Sequence, residues 1–246
     1  MARVAILRFP GTWSERDFEH ALSLAGPPGG INGAETEILW HTEVDLSGFD
    51  ACIVPGGFSY GDHVRAGAIA RLSPAIRELR RFAAEGGPIL GSCNGFQILC
   101  EARLLPGALI RNARLEYISD WVRVRVEDEG TPFTRGLRDA VLRMPIGHGE
   151  GCFVADTGTV ERIEKEGLVL FRYVDERGIV TPEANPNGSV NNIAGLRNAE
   201  GNVVGLMPHP ERCAERILGG TDGLRMFESL VGAVGDRSPQ RIGALT

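Results

Sequence analysis

Residues 88–99, with the sequence PILGSCNGFQIL, decide how this chain folds. A short apolar run enters a turn of small residues around Cys93, and a second apolar run with helical character follows. The pattern predicts a buried strand, a tight turn and a helix, with Gly91 and Gly95 allowing neighbouring elements to approach the backbone. Such a G-x-nucleophile-x-G elbow presents a reactive side chain at a helix N-terminus, where backbone N–H groups favour a thiolate. Cys93 is therefore the candidate nucleophile, and a buried core cysteine is the alternative.

Apolar runs that stop at Gly/Pro turns fill the first hundred residues, and each predicts a short buried strand. The four runs are residues 3–7, 36–40, 51–54 and 88–91. Helices are predicted between them, from about residue 15, over 64–71, and from Ser73-Pro74 to a stop at Gly86. This alternation of strands and helices predicts an open, mostly parallel sheet with helices on both faces.

The second half of the chain has a different pattern. Residues 121–126, WVRVRV, alternate with a period of two, as expected for a half-buried strand. Further strands are predicted at residues 141–146, 168–173 and 203–207, and a closing helix at 224–231. We expect one α/β domain over residues 1–246, with antiparallel additions in this half and a loosely held tail after about residue 235.

Composition and charge exclude several classes of protein. Of 246 residues, 43% are apolar and 24% are charged, which excludes a disordered or collagen-like chain. The net charge of −6 argues against nucleic acid as a partner, since phosphate binding needs clustered positive charge. No apolar run reaches the roughly 18 residues of a membrane span. The five cysteines form no C-x-x-C pair, so we expect free thiols and a cytoplasmic location.

A cysteine nucleophile needs a base, and two of the five histidines lie in an H-x-E pattern, at residues 148–150 and 209–211. Spacing alone does not separate these two candidates. Prolines on both sides stiffen the backbone around His209, and the preceding apolar run places it just past a strand, at the sheet edge where sites assemble. We therefore predict His209 as the base and Glu211 as the residue that orients it. His148 lies among glycines, which allow another part of the backbone to come close but do not hold a side chain in one fixed orientation.

A glycine pair follows the third predicted strand, within residues 54–62, VPGGFSYGD. Backbone N–H groups of such a turn can hold an anion at the sheet edge that carries the nucleophile. Gly57 and Asn94 are therefore candidate donors to an oxyanion, and a plain turn is the alternative. A phosphate loop is not supported, because Asp62 stands where the Walker pattern requires lysine. No metal site is expected, because structural zinc usually shows paired ligands at short spacing.

The cysteine elbow, the Gly-Gly turn and the late His-x-Glu, in that order, resemble the triad-type domain of class I glutamine amidotransferases. In an α/β hydrolase, by contrast, the carboxylate precedes the histidine. Longer segments resemble one family, the glutaminase subunit of phosphoribosylformylglycinamidine synthase of de novo purine biosynthesis. They are residues 55–70 (PGGFSYGDHVRAGAIA), 91–99 (GSCNGFQIL), 145–151 (PIGHGEG), 181–196 (TPEANPNGSVNNIAGL) and 205–212 (GLMPHPER). The resemblance runs from residue 3 to about residue 231.

The resemblance implies a flavodoxin-like fold and hydrolysis of L-glutamine through a glutamyl thioester. The implied site residues are the catalytic Cys93, His209 and Glu211, the oxyanion-hole residues Gly57 and Asn94, and the substrate-binding residues Gly56 and Gln97. In this scheme the cysteine attacks the side-chain amide, the histidine serves as acid and then base, and Gln97 helps to hold the amino-acid end of the substrate.

The same resemblance implies that this chain carries no cofactor. Ammonia would pass to a large synthetase subunit, which uses ATP and Mg²⁺ to convert formylglycinamide ribonucleotide to formylglycinamidine ribonucleotide. A small accessory subunit is also an expected partner, whereas nucleic acid and membrane are not.

Two departures from the family pattern are residues 13–14 (WS), where an Asn-Cys pair is usual, and residues 25–33, which are longer and richer in glycine. Neither is expected to touch the triad. His148 and Glu150 are expected to be structural or to face a partner. The rival interpretations are a glutaminase of another complex, a γ-glutamyl hydrolase, and a non-catalytic scaffold. The segment 181–196 disfavours the first two, and the intact triad disfavours the third.

Overall fold

The structure, a computed structural model, describes residues 1–26 and 33–235. Its strands are β1 (Arg3–Arg8), β2 (Glu35–Trp40), β3 (Ala51–Val54), β4 (Ile89–Ser92), β5 (Ala108–Ile110), β6 (Ile118–Val126), β7 (Val141–His148), β8 (Cys152–Val154), β9 (Val169–Val174), β10 (Ile193–Arg197) and β11 (Val203–Leu206). Its α-helices are α1 (Glu15–Leu24), α2 (Pro74–Ala84), α3 (Asn94–Glu101), α4 (Thr157–Lys165) and α5 (Leu224–Gly235). Short 3-10 turns join several of these elements.

Nine strands of the described chain form one sheet in the order β2-β1-β3-β4-β11-β10-β9-β6-β7. All neighbours from β2 to β11 are parallel. Gly91 of β4 pairs with Val54 of β3 and with Gly205 of β11, so these three central strands end at the same edge. The order β2-β1-β3-β4-β11 is that of flavodoxin-like sheets, in which ligands bind beyond the carboxyl ends of the strands. The predicted fold class is confirmed.

The predicted antiparallel additions are also present, because β10, β9, β6 and β7 extend the sheet with antiparallel pairings only. Val122, Val124 and Val126 of β6 are buried, while the residues between them are more exposed, as the period of two predicts. A separate antiparallel pair, β5 with β8, lies beside the central sheet.

Apolar side chains cover both faces of the sheet. On one face α1 and α5 pack together, with the rings of Phe18 and Phe227 edge to face at 5.8 Å. On the other face α2, α3 and α4 contribute buried residues such as Leu79, Phe96 and Ile163. Ser73 caps α2 as expected, since its side chain accepts a hydrogen bond from the N–H of Ala75. The central strands are therefore packed on both faces, and the turns at their carboxyl ends are held in place by this packing.

The helix predicted over residues 64–71 is wrong. This segment forms turns that end in a 3-10 segment, Ala70–Leu72. Val64 and Gly67 have φ angles of +73° and +78°, which interrupt any α-helix. Gly67 also lies so close to α3 that an added Cβ would be 2.9 Å from the amide nitrogen of Ile98. Packing against α3 therefore overrides the local apolar pattern.

The sequence patterns did not predict β5, β8, β10 or α4. The three strands are only three to five residues long, too short for a period to be recognised. The expectations for the tail after residue 235, and for most of the glycine-rich segment 25–33, concern residues outside those described. Each helix in the described ranges is too short or too polar to cross a membrane.

Candidate active site

Cys93 occupies the turn between β4 and α3, where it is the N-cap residue of the helix. Its backbone has φ +50° and ψ −107°, a conformation that costs a non-glycine residue about 1–3 kcal/mol. The N–H of Cys93 donates to the carbonyl of Leu206 at 2.8 Å, which ties the turn to the end of β11. The predicted nucleophile elbow is confirmed as a structural element, and its strain is held by the neighbouring strand.

The small residues of the elbow are required by close packing, as the sequence pattern predicts. A Cβ added to Gly95 would lie 1.8 Å from the carbonyl oxygen of Val54 in β3, and one added to Gly91 would lie 2.6 Å from a methyl group of Leu99. Neither neighbour can move freely, because one belongs to the central sheet and the other to the buried face of α3.

His209 and Glu211 follow the end of β11, Glu211 within a 3-10 turn, Pro210–Cys213. Nδ1 of His209 lies 2.7 Å from Oε1 of Glu211, and both side chains are buried. The backbone N–H of His209 donates to the carbonyl of Pro145 at 2.9 Å, so β7 also holds the main chain at this residue. Within the described residues, Nε2 of His209 is buried and has no hydrogen-bond partner. It is the ring nitrogen that remains for chemistry.

Two opposing effects act on the imidazole of His209. Burial, the largest, lowers its pKa, but the carboxylate of Glu211 and the sulfur of Cys93 together outweigh burial and raise the pKa to about 10. The ring is therefore protonated at neutral pH. Cys93 and His209 therefore interact electrostatically.

Ser92, directly before the nucleophile, contacts the histidine–carboxylate pair. Its buried hydroxyl lies 3.4 Å from Oε2 of Glu211 and 3.2 Å from the carbonyl oxygen of Pro208. The hydroxyl can donate its one hydrogen to either acceptor. No pattern in the sequence indicates this contact, because only the pairing of β4 with β11 brings the two segments together.

The turn at Gly56 and Gly57 is held by residues 13–14. The Ser14 hydroxyl accepts a hydrogen bond from the N–H of Gly56 at 2.9 Å, and the N–H of Trp13 donates to the carbonyl of Gly56 at 3.3 Å. A Cβ on Gly56 would lie 2.8 Å from Cε1 of His209. Residues 13–14 therefore hold the turn whose Gly56 packs against the ring of His209.

Two backbone N–H groups near the nucleophile remain available. Gly57 has φ +152° and packs against Gly11 and Thr12, and its N–H has no acceptor among the described residues. The N–H of Asn94 lies at the first position of α3, where no intrahelical acceptor exists. The side chain of Asn94 is engaged separately, with the N–H of Ser59 and with Gln97.

A cavity of about 200 Å³ opens onto Cys93. Its other lining residues include Gly57, Gln97, Tyr117 and His148. The Gln97 amide is partly used within the protein, because Nε2 donates to the backbone carbonyl of Glu150 at 2.6 Å and Oε1 accepts from Asn94. Gln97 thus fixes the wall of the cavity as well as facing it.

His148 lies in the wall of the cavity and is buried. Its Nδ1 is 3.1 Å from Oδ1 of Asn112, an oxygen that also accepts from the N–H of Gly151. Nδ1 therefore carries the hydrogen, and Nε2 is a buried acceptor without a partner among the described residues. Burial, with the charge of His209, lowers the pKa of His148 to about 4. His148 is a neutral residue of the pocket, and among the described residues its ring bonds to the amide of Asn112 and not to a carboxylate.

The other four cysteines are buried and free. Burial raises the pKa of each of these thiols, which makes them poor nucleophiles. The sulfur of Cys213 lies 3.7 Å from the carbonyl oxygen of His209 and 3.5 Å from that of Pro210, and the thiol can donate its one hydrogen to either. Across the described ranges, no three His, Cys, Asp or Glu side chains are grouped so that they could hold a metal ion.

Comparison with known proteins gives consistent matches. The family model of the CobB/CobQ-like glutamine amidotransferase domain matches residues 1–223. The phosphoribosylformylglycinamidine synthase subunit PurQ of Thermomicrobium roseum is 54% identical over 230 residues, 93% of this chain and 95% of that protein. The corresponding subunit of Salinibacter ruber is 50% identical over 234 residues, 95% of this chain and 97% of that protein.

Solved structures agree with these relatives. The structure of PurLQS from Thermotoga maritima contains a chain that matches with a TM-score of 0.80 and 38% identity, over 94% of this chain and 98% of that one. A glutamine amidotransferase from Thermotoga maritima matches with a TM-score of 0.53, over 98% of this chain and 86% of that one, but at 18% identity it supports the fold alone.

The flavodoxin-like sheet, with a cysteine elbow beside a buried histidine–glutamate pair, is that of a class I glutamine amidotransferase. Within this class of enzymes, sequence identity over nearly the whole chain is decisive. The chain belongs to the PurQ family, the glutaminase subunits of phosphoribosylformylglycinamidine synthase in purine biosynthesis.

Proposed function

We propose that Cys93, His209 and Glu211 hydrolyse L-glutamine to glutamate and ammonia. The observation that carries this proposal is the buried contact of 2.7 Å between Nδ1 of His209 and Oε1 of Glu211. It leaves Nε2 of His209 as the free ring nitrogen beside the nucleophile. A nucleophile, an acid–base group and a residue that orients it are the three components that acyl transfer through a covalent intermediate requires.

In the first half-reaction, Nε2 of His209 holds the proton that the Cys93 thiol has given up. The thiolate attacks the side-chain carbonyl carbon of glutamine, and the N–H groups of Gly57 and Asn94 stabilise the oxyanion. As the C–N bond breaks, the imidazolium of His209 gives its proton to the departing nitrogen. Ammonia leaves, and a glutamyl thioester remains on Cys93.

In the second half-reaction, neutral His209 takes a proton from water as the oxygen attacks the thioester. The C–S bond breaks, glutamate leaves, and the thiolate–imidazolium pair is restored. Glu211 stabilises the imidazolium in both half-reactions and holds the ring of His209 in one tautomer. Gly56 packs against the ring of His209, and Gln97 has one N–H and one lone pair left for the amino-acid end of the substrate.

The ammonia is delivered to a synthetase subunit that makes formylglycinamidine ribonucleotide with ATP and Mg²⁺, and a small accessory subunit completes the complex. Two observations support this proposal of partners: the chain belongs to the PurQ family, and it matches a chain in the structure of PurLQS from Thermotoga maritima. ATP and Mg²⁺ belong to the partner. The described part of the chain functions as one amidotransferase domain, since nine of its strands share one sheet. The location that we propose for the enzyme is the cytoplasm.

The test compares Cys93→Ala with Cys152→Ala in the reconstituted synthase. We expect Cys93→Ala to abolish synthesis from glutamine and to preserve synthesis from added ammonium, because the ammonia acceptor lies on the partner. Cys152→Ala, which removes a buried thiol outside the triad, should preserve both activities. Loss of both activities in Cys93→Ala, or glutamine-dependent synthesis without Cys93, would contradict the proposal.

A second measurement addresses the site on this chain directly. A diazoketone analogue of glutamine should add once to the wild-type chain and not to Cys93→Ala, as read from the intact mass. An adduct that persists in Cys93→Ala would show that the analogue reacts elsewhere and that the glutamine pocket has been misplaced.

A further inference from the structure

Two carboxylates share the cavity that opens onto Cys93. Asp62 and Glu150 both line it, and no lysine or arginine of the described chain does so. Arg111 forms an ion pair with Glu150, with its Nε 3.9 Å from Oε1, but its side chain is 77% exposed and is not part of the cavity lining. Among the residues that line the cavity, the carboxylates therefore have no lysine or arginine to balance them.

The two acidic side chains are held in place by different parts of the fold. Glu150 accepts a hydrogen bond from the N–H of Ala66 at Oε2, and its backbone carbonyl accepts from Gln97. Asp62 has φ +53° in a segment where Tyr60 and Gly61 are also left-handed. Because left-handed backbone is costly for most residues, a run of such residues is maintained only where the surroundings require it. This segment carries Asp62 to the cavity.

The cavity also contains acceptors that lack donors. Oδ1 of Asp62 is buried and has no hydrogen-bond partner among the described residues. Nε2 of His148, in the same wall and 98% buried as a residue, is likewise without a donor. Burial, with the negative charge of Glu150, raises the pKa of Asp62 to about 6. Burying acceptors without donors, and placing two carboxylates in one cavity, raises the free energy of the folded protein unless a ligand supplies hydrogen-bond donors and positive charge.

L-Glutamine carries such a group. Its α-ammonium has one positive charge and three N–H donors, and it belongs to the end of the substrate that does not react. We propose that Asp62 and Glu150 bind the α-ammonium of glutamine and thereby select an α-amino acid amide over other primary amides. This inference rests on the proposed function, since it assigns the polar end of a substrate whose amide reacts at Cys93.

The test uses two substrates and a matched set of variants in the reconstituted synthase. The substrates are L-glutamine and 4-carbamoylbutyrate, which is glutamine without its α-amino group. The variants are Asp62→Asn and Glu150→Gln, which remove charge and keep volume. Asn also tolerates the left-handed backbone of Asp62. The control is Asp139→Asn, an exposed aspartate in the same backbone region, with φ +58°.

For L-glutamine we expect Asp62→Asn to raise KM about 10- to 100-fold, the usual range for a lost charge-assisted hydrogen bond, with kcat changed less than about threefold. Wild-type enzyme should use 4-carbamoylbutyrate poorly, and Asp62→Asn should impair that substrate no further. The preference for glutamine over the analogue therefore collapses. Glu150→Gln should act in the same direction, and Asp139→Asn should leave both substrates unchanged.

An equal loss on both substrates, or an unchanged KM for glutamine in both variants, would overturn the assignment of the α-ammonium site. These results differ from failure of the proposed function, which would appear in wild-type enzyme as absent glutaminase activity or as activity that persists in Cys93→Ala. The absence of wild-type activity would overturn both.

Discussion

The carboxylate of Glu211 lies 2.7 Å from Nδ1 of His209, and neither side chain is accessible to solvent. A buried charge pair of this kind holds the imidazole in one orientation and leaves only Nε2 for the reaction. Because burial alone would keep the ring neutral, the protonated state depends on Glu211 and on the sulfur of Cys93.

Replacement of Glu211 tests this dependence. We expect Glu211→Gln to lower kcat for glutamine hydrolysis about 10²- to 10⁴-fold, by loss of imidazolium stabilisation and of the correct tautomer. The pKa of His209, now about 10, should fall. NMR of ¹⁵N-labelled histidine follows the titration, and the exposed Glu228→Gln serves as the matched control. An unchanged titration of His209 would show that Glu211 does not set its charge.

The hydroxyl of Ser14 supports the turn that carries Gly57. We expect Ser14→Ala to destabilise the protein by about 1–3 kcal/mol, because the N–H of Gly56 loses its acceptor inside the protein. If the N–H of Gly57 is the oxyanion donor that we propose, its position should also change, and kcat should fall about tenfold. Urea unfolding and steady-state kinetics measure the two effects, with the exposed Ser119→Ala as control. Loss of stability without loss of kcat would exclude an oxyanion role for this turn.

The strained backbone of Cys93 predicts an unusual order of stability. At φ +50° and ψ −107°, glycine is unstrained and alanine is not, so Cys93→Gly should be more stable than Cys93→Ala by about 1 kcal/mol or more. Cys100, inside α3, is the matched control, where the glycine variant should be the less stable by about 0.5–1 kcal/mol. Urea unfolding of the four variants measures both differences. The same order at both positions would mean that the elbow stores no backbone strain.

The lowered pKa of His148 predicts a loss of stability in acid. Above pH 6.5, the ordinary pKa of histidine, the ring is neutral in the folded and unfolded states and has no linked effect. Below pH 6.5 the unfolded chain binds a proton that the folded one binds only near pH 4, so stability falls as the pH falls. Between pH 7 and pH 5 the loss from this residue is about 2 kcal/mol.

The variant His148→Asn isolates that contribution, since asparagine can still donate to Asn112 but does not titrate. Unfolding free energies are measured for the wild-type and variant proteins at pH 7 and at pH 5. Between these two pH values the wild-type protein should lose about 2 kcal/mol more stability than the variant. Parallel slopes would show that His148 has an ordinary pKa in the folded protein.

Sequence patterns predicted the strands and turns that carry the site better than the tertiary contacts that hold them in place. The strand at residues 51–54, the cysteine elbow and the cap at Ser73 are local features, because a few adjacent residues determine backbone conformation there. The helix expected over residues 64–71 failed because Gly67 packs against α3, and no local pattern reports that contact.

The triad shows the same division. The order and types of Cys93, His209 and Glu211 are properties of the sequence alone, and the identities of the elbow glycines follow from the turn that they form. The contacts of Ser92, Ser14 and His148 with the site come only from the pairing of strands distant in sequence.

The sequence by itself thus determined the fold class, the turn at Cys93 and the residue types of the proposed triad, because strand period, turn chemistry and the order of the residues can be read directly from the chain. Only the tertiary structure decided the charge of the two histidines and the presence of both Asp62 and Glu150 in one cavity. The physical reason is that pKa values and unpaired acceptors depend on burial and on neighbours within a few ångströms. Those neighbours come from segments up to about a hundred residues apart in the chain, which meet only when the sheet is complete.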